Sequence, residues 1–107
     1  MPELPEVETI VRGLRSALTG RRIRSVRVLE PKIFRTPPQR AVESLSGAVI
    51  KDISRKGKLI LFTLRPEMTL VLHLKMTGQP LLMEASAPLD RHTHAVFEFF
   101  DTPMQLR

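Results

Sequence analysis

Residues 59–64 read LILFTL, a nearly continuous apolar run in a chain of 107 residues. A short apolar run bounded by turn signals predicts a β-strand that is buried on both of its faces. After the next turn signal, Leu70, Leu72 and Leu74 alternate with other side chains, which is typical of a strand with two different faces. The centre of the chain is therefore predicted to be β-structure.

Segments of similar composition extend this pattern in both directions. Stretches rich in β-branched residues, Leu or Phe predict strands near residues 21–29, 48–55, 58–64, 69–75, 79–84, 94–100 and 104–107. Gly57 and Arg65-Pro66-Glu67 are turn signals between them, and residues 41–45 predict a short helical turn. The chain after residue 20 is thus predicted to consist mainly of short strands.

The beginning of the chain predicts an amphipathic helix at residues 5–19. Apolar side chains recur there at helical spacing, at Val7, Ile10, Val11, Leu14 and Leu18. Pro5 suits the first helical turn, and Gly20 can end the helix. One helix followed by six or seven strands predicts a mainly β fold (α+β), a β-sandwich of short antiparallel strands with the helix packed along it. The length favours one domain over residues 1–107.

The charge of the chain is positive and unevenly distributed. The formal net charge is +6, and residues 12–40 hold nine Arg or Lys against one acid, Glu30. Such a block is typical of a surface that faces a polyanion; the alternative is a basic surface balanced by solvent ions. The absence of cysteine excludes disulfides and thiolate metal sites. No apolar run approaches the roughly 20 residues of a membrane span, so we expect a cytosolic protein without a membrane partner.

The opening MPELPEVET contains the first candidate for chemistry. Once Met1 is removed, Pro2 carries a free secondary amine with a pKa of about 8, which can attack an aldehydic carbon and form an iminium. Glu3 supplies a carboxyl group for proton transfer. The predicted helix holds the amine in place, and its dipole lowers the pKa of the amine. The alternative is a Pro that merely follows the initiator Met and a Glu that caps a helix.

Four other residues are candidates for chemical or structural roles. Lys58 follows a glycine and opens the buried strand, so its ammonium can be fixed in position; the alternative is a sheet-edge lysine. His92 stands two residues before His94, and two histidines favour phosphate contact or a structural role over a metal site. His73 lies in an apolar strand, which predicts a hydrogen-bonded core histidine. Met76 lies on a turn and is either core filling or a flexible wedge between DNA bases.

Four motifs occur in a single order along the chain: MPELPEVET at its start, RKGK at 55–58, HLKMTG at 73–78 and RHTH at 91–94. Together they resemble the N-terminal domain of bacterial formamidopyrimidine-DNA glycosylase, the base-excision enzyme for oxidised purines, over the whole chain. The resemblance implies that Pro2 attacks the sugar C1′ as a Schiff-base nucleophile and that Glu3 donates the proton for glycosidic cleavage. It also implies that the enzyme is an AP lyase, and that the protein is bacterial and associated with the nucleoid.

The resemblance assigns further roles at matching positions. Glu6 would help to shape the lesion site, and Lys58 would donate a proton or hold the phosphate beside the lesion during strand cleavage. His92 would contact a DNA phosphate, and Met76 would enter the space left by the flipped base. Lys75 stands where the family commonly has Gly, which alters the turn that carries the wedge. The implied partner is double-stranded DNA with an oxidised purine or an abasic site.

The family's other parts are expected to lie outside this chain. The helix–two-turn–helix module and the four-cysteine zinc finger would follow Arg107, so no cofactor and no metal site are expected within residues 1–107. We therefore expect a truncated catalytic domain that is inactive or weak alone. The alternatives are a non-catalytic basic DNA-binding or RNA-binding sandwich and a fragment without independent function. An unpaired final strand at 104–107 would allow a homodimer through an exposed strand edge.

Overall fold

The computed structural model describes residues 4–30, 37–73, 80–89 and 93–107, and structural statements here refer to those residues. Their elements are α1 (Leu4–Leu18), β1 (Ile23–Val28), α2 (Pro38–Leu45), β2 (Val49–Lys56), β3 (Leu59–Arg65), β4 (Met68–His73), β5 (Leu82–Glu84), β6 (Ala95–Phe99) and β7 (Met104–Leu106). They form two compact units. The first comprises residues 1–20 and 49–80, and the second comprises residues 21–48 and 81–107.

In the first unit, α1 packs against a three-stranded antiparallel sheet of order β2-β3-β4. The core combines one face of the helix with alternate strand residues: Val7, Val11, Leu14, Leu18, Ile50, Ile53, Ile60, Phe62 and Leu64. Gly20 adopts a φ of +87° after the helix, and its N–H donates to the Ile50 carbonyl at 2.7 Å. The predicted helix and its glycine stop are therefore present, because the 3.6-residue period of the apolar side chains gives α1 one buried face.

The central strand β3 corrects one prediction. Ile60, Phe62 and Leu64 are buried, whereas Leu61 and Thr63 on the opposite face are only half-buried. The strand is paired with a neighbour along both edges, but only one face is fully covered. Burial on both faces was therefore wrong, because an unbroken apolar run does not reveal how many layers cover a strand.

Strand β4 corrects a second prediction. Its residues alternate as expected, with Leu70 and Leu72 half-buried on one face. Val71 and His73 share the other face and are exposed, Val71 to 53%. His73 is therefore not a core histidine, because the period of two assigns it to the outward face.

The second unit holds a four-stranded antiparallel sheet of order β1-β6-β7-β5, with α2 packed against β1. Its buried side chains are Ile23, Val26, Leu45, Ala48, Ala95, Val96, Phe99, Gln105 and Leu106. Helix α2 is longer than the predicted turn at 41–45. It begins at Pro38, which suits proline because the first helical position needs no N–H donor.

The last strand is fully paired. β7 lies between β6 and β5, and Gln105 pairs with Glu98 on one side and Met83 on the other. The expectation of an unpaired strand at 104–107 was therefore wrong, and the dimer inferred from that edge loses its basis.

The fold class itself is confirmed. Antiparallel strands dominate the chain, they form two sheets, and a helix precedes them. Neither described helix is long and apolar enough to span a membrane.

Candidate active site

Helix α1 runs antiparallel to β2. The Arg15 Nε donates to the Ile53 carbonyl at 2.7 Å, and the Arg55 Nε donates to the Glu8 Oε2 at 2.6 Å. Earlier helix residues thus face later strand residues. The first turn of α1 therefore lies at the end of the sheet where β2 turns into β3.

The turn at this end is a two-residue hairpin. Lys56 pairs with Leu59, which leaves Gly57 and Lys58 as the loop. Gly57 has a φ of +61°, whereas Lys58 has no positive φ. This combination is that of a type II′ turn, in which glycine is favoured at the first loop position. The tight turn predicted at Gly57 is present, and Lys58 occupies the turn rather than the first position of the strand.

Lys58 is half-buried at this hairpin. Its ammonium forms no hydrogen bond or ion pair with another described residue, so its donors are available to a group from outside the described ranges. The two preceding residues, Lys56 and Gly57, are exposed. Lys58 is therefore the less exposed of the two lysines in this hairpin.

Arg55 joins the hairpin to the helix. Besides the bond to Glu8, its Nη1 donates to the Gly57 carbonyl at 3.3 Å. Glu8 also pairs with the Arg12 Nε at 3.5 Å. The hydrogen bond from Arg55 lowers the pKa of Glu8 below its ordinary value; the charges of Arg55 and Arg12 act in the same direction, and partial desolvation opposes them. Glu8 is thus held as a carboxylate between two guanidinium groups.

Of the other residues predicted for the site, some lie at the same end of the sheet as the hairpin and the rest lie outside the described residues. Glu6 lies exposed in the first turn of α1, at the same end as the hairpin. His73 pairs with Leu59, so β4 also ends there and leads into residues 74–79. Pro2, Glu3, Met76 and His92 lie outside the described residues. The roles of all six candidate residues, including Lys58 and Glu6, remain predictions.

The contact between Arg55 and Glu8 was not predicted from the sequence. The i,i+4 spacing of Glu8 and Arg12 is visible in the sequence, but Arg55 lies 47 residues from Glu8. In the sequence, Arg55 stands out only as part of the RKGK motif at 55–58. No periodicity links positions so far apart, because the pair exists only when α1 packs on β2.

The basic block at 12–40 is partly neutralised within each unit. In the first unit, the Arg15 Nε lies 3.5 Å from Asp52 Oδ1, and in the second unit Arg24 Nη2 lies 2.8 Å from Glu98 Oε2. Desolvation acts to raise the pKa of Glu98, but hydrogen bonds from Arg24 and from Ser25 outweigh it and leave the pKa lowered. These arginines are paired within their own units, so the basic block presents less uncompensated charge than the charge count indicates.

Arg107 organises a loop in the second unit. Its Nη2 donates to the buried Gln105 Oε1 at 2.8 Å and to the Ala85 carbonyl at 3.4 Å, and its Nη1 donates to the Pro88 carbonyl at 3.2 Å. The loop that follows β5 is therefore fixed by one guanidinium. Residues 90–92 continue from this loop.

Among the described residues, no group of three or more His, Asp or Glu side chains is arranged to hold a metal ion.

Comparison with known sequences gives a consistent match. The family model described as "Formamidopyrimidine-DNA glycosylase N-terminal domain" matches residues 1–107. The formamidopyrimidine-DNA glycosylase of an Exiguobacterium species is 48% identical over 102 residues, which cover 94% of this chain and 37% of that protein. The protein of the same name from Desulforamulus reducens is 42% identical over 112 residues, covering 100% of this chain and 39% of that protein.

Solved structures resemble the fold closely. The Lactococcus lactis Fpg protein in complex with DNA containing an abasic site has a TM-score of 0.92 at 34% identity, over 98% of this chain and 39% of that one. The same protein with DNA containing FAPY-dG has a TM-score of 0.91 at 35% identity, over 97% and 38% of the two chains. The chain thus spans less than two fifths of the length of these relatives.

Proposed function

The chain belongs to the family of formamidopyrimidine-DNA glycosylase N-terminal domains, and from this membership we propose that it is the catalytic domain of a base-excision DNA glycosylase and AP lyase. The proposed substrate is double-stranded DNA with an oxidised purine or an abasic site. Relatives whose structures contain abasic-site DNA and FAPY-dG DNA support this choice. The observation that carries the proposal is the position of Lys58 at the end of the sheet where α1 begins.

The proposed first step is nucleophilic. The Pro2 nitrogen bonds to the sugar C1′ while the bond from C1′ to the base nitrogen breaks, and Glu3 donates the proton that the base takes with it. The Pro2 nitrogen then loses its proton, the bond from C1′ to the ring oxygen breaks as that oxygen gains a proton, and an iminium between Pro2 and C1′ remains. The iminium acidifies the hydrogens on C2′. Loss of one of them expels the 3′ phosphate and cleaves the strand.

The proposed roles of the other residues follow from the same substrate. Extrusion of a base from the stack costs a few kcal/mol, and Met76 would fill the space that the base leaves. Glu6 would shape the pocket for the extruded base, and His92 would contact a phosphate. Lys58 would donate a proton to, or hold, the phosphate beside the lesion; its half-buried side chain and lack of a described partner support that role.

The rest of the binding machinery would come from sequence beyond this chain. The chain spans 39% of the length of two of the relatives described above. We propose that the helix–two-turn–helix and zinc-finger parts lie in the remaining length. We expect residues 1–107 alone to be inactive or weak, because phosphate contacts supply much of the affinity for DNA.

The first prediction concerns the nucleophile. The full-length protein encoded by the gene should form a covalent adduct with an abasic-site or oxidised-guanine duplex in the presence of borohydride. Borohydride reduces the iminium and makes the adduct permanent. An intact mass reports whether Met1 has been removed. The Pro2→Gly variant should trap far less adduct. Equal trapping by that variant, or none by the unaltered protein with Met1 removed, would refute the role of Pro2. Salt-sensitive duplex binding without any trapping would favour a non-catalytic DNA-binding module.

The second prediction concerns Lys58. Lys58→Ala should slow strand cleavage by about 100-fold, the size of a lost acid–base group, while duplex affinity changes much less. Lys56→Ala is the matched control, because it removes an exposed lysine two residues away on the same hairpin. Single-turnover cleavage and duplex titration measure the two effects. Equal losses of cleavage and affinity at Lys58 would contradict proton transfer.

A further inference from the structure

Arg55 contacts two parts of the first unit that are distant in sequence. Its Nε is bound to Glu8 on α1 at 2.6 Å, and its Nη1 is bound to the carbonyl of Gly57 at 3.3 Å. The side chains of Arg55 and Glu8 are 35% and 33% exposed, so the pair lies at the surface and is only partly covered by protein. A guanidinium can make both bonds at once because its donors lie in a rigid planar fork.

These bonds are the described polar link between the hairpin turn and the helix. The other bonds between α1 and β2 lie farther along the strand, where Arg15 binds the Ile53 carbonyl. Without Arg55, the turn would be held mainly by the backbone pairing of β2 with β3. Loss of the bond to α1 would allow the turn to move relative to the helix, and misplacement by about 1 Å can cost a reaction roughly 100-fold.

We propose that Arg55 is a positioning residue that ties the Gly57–Lys58 turn to α1 and so holds the Lys58 ammonium at a fixed place beside the start of the helix. The inference rests on the proposed function through the role of Lys58. Glu8 anchors the guanidinium on the helix, and Gly57 is the point on the turn that it holds. Arg55 itself touches no reacting atom in this scheme.

A direct role of Arg55 on a DNA phosphate would be a different assignment. Its Nε is already committed to Glu8 at 2.6 Å, and the carboxylate offsets its charge. A phosphate contact would make duplex affinity and its dependence on salt fall when Arg55 is replaced. A positioning role leaves both nearly unchanged.

The experiment compares Arg55→Met with Arg12→Met in the protein as its gene encodes it. Both variants remove an arginine that pairs with Glu8, but only Arg55 also contacts the turn. Arg55→Met should slow single-turnover strand cleavage about tenfold while borohydride trapping and duplex affinity stay the same, because the nucleophile is not displaced. Arg12→Met should not slow cleavage at saturating duplex, because Arg12 makes no described contact with the turn. A salt-dependent loss of affinity in Arg55→Met would overturn the proposal in favour of a phosphate contact.

A second comparison tests whether Arg55 acts through Lys58. In a Lys58→Ala background, adding Arg55→Met should slow cleavage by less than about twofold, because the group being positioned is gone. The same tenfold loss in both backgrounds would overturn the proposal. Glu8→Gln removes the charge of the helix anchor, and a loss of cleavage similar to that of Arg55→Met is the expected result.

Hydrogen exchange separates this inference from the proposed function. Amides of residues 56–59 should exchange faster in Arg55→Met than in Arg12→Met, because the tie to the helix is lost. Unchanged exchange would refute the tie itself. If exchange is faster in Arg55→Met but Lys58→Ala cleaves normally, the bond between the turn and the helix is supported. The catalytic role of Lys58 is then rejected.

Discussion

Glu8 pairs with two arginines, Arg12 and Arg55, and the two pairs differ in length and in exposure to solvent. Arg12 is 75% exposed and lies 3.5 Å away, so solvent screens that pair strongly. Arg55 is 35% exposed and lies 2.6 Å away, and its bond crosses from the helix to the sheet. A short charge-assisted bond between elements restrains the packing more than a contact within one helix does. The bond between Arg55 and Glu8 therefore depends on the protonation state of a single carboxyl group.

That event predicts a pH dependence of stability. The folded chain holds the pKa of Glu8 below 4.5, so it binds the proton less tightly than the unfolded chain does. The stabilisation is therefore complete above about pH 4.5 and is lost as the pH falls through the lowered pKa of the folded state. Glu8→Gln should lower the Tm at neutral pH, and the difference from the unaltered protein should shrink as the pH falls below 4.5.

Thermal unfolding across this pH range measures the effect. Glu67→Gln is the control, because Glu67 is an exposed turn residue and its replacement should leave the Tm nearly unchanged throughout. A Tm difference for Glu8→Gln that stays constant or grows on acidification would contradict the role assigned to the bond with Arg55.

Glycine is required at one position of the first unit, Gly57, and is replaceable at another, Gly13. Gly57 adopts a φ of +61° in the turn, where a side chain would be strained although there is space for a Cβ. Gly13 lies on the exposed side of α1, and nothing lies within 4 Å of an added Cβ. Backbone conformation rather than space therefore decides which glycine is required.

This contrast gives a prediction of opposite sign at two positions. Gly57→Ala should lower the free energy of unfolding by about 1–2 kcal/mol, the cost of a left-handed conformation for a residue with a Cβ. Gly13→Ala should raise it by about 0.5–1 kcal/mol, because alanine is the better helix former. Urea unfolding of both variants provides the measurement. Destabilisation by Gly13→Ala would show that the exposed face of α1 is in contact with another part of the protein.

At the scale of the whole chain, local patterns predicted the elements but not their partners. The strand at 58–64 and the helix at 5–19 were placed to within about two residues, because their periods are visible in short windows. The burial of β3 and the pairing of β7 depend on which elements cover or flank a strand. The Arg55–Glu8 bond depends on the packing of α1 on β2. None of these is encoded in a local repeat.

The position of β7 has a consequence for synthesis on the ribosome. β2, β3 and β4 are neighbours in both sequence and sheet, so they can pair one after another as the chain emerges. The other sheet forms later, because its two middle strands, β6 and β7, follow β2, β3 and β4 in the sequence, and β5 has no partner until residue 104 appears. Nascent β1 therefore remains unpaired while the first hairpins form, and β5 remains unpaired until β7 is made; an unpaired strand edge in that interval is open to aberrant association.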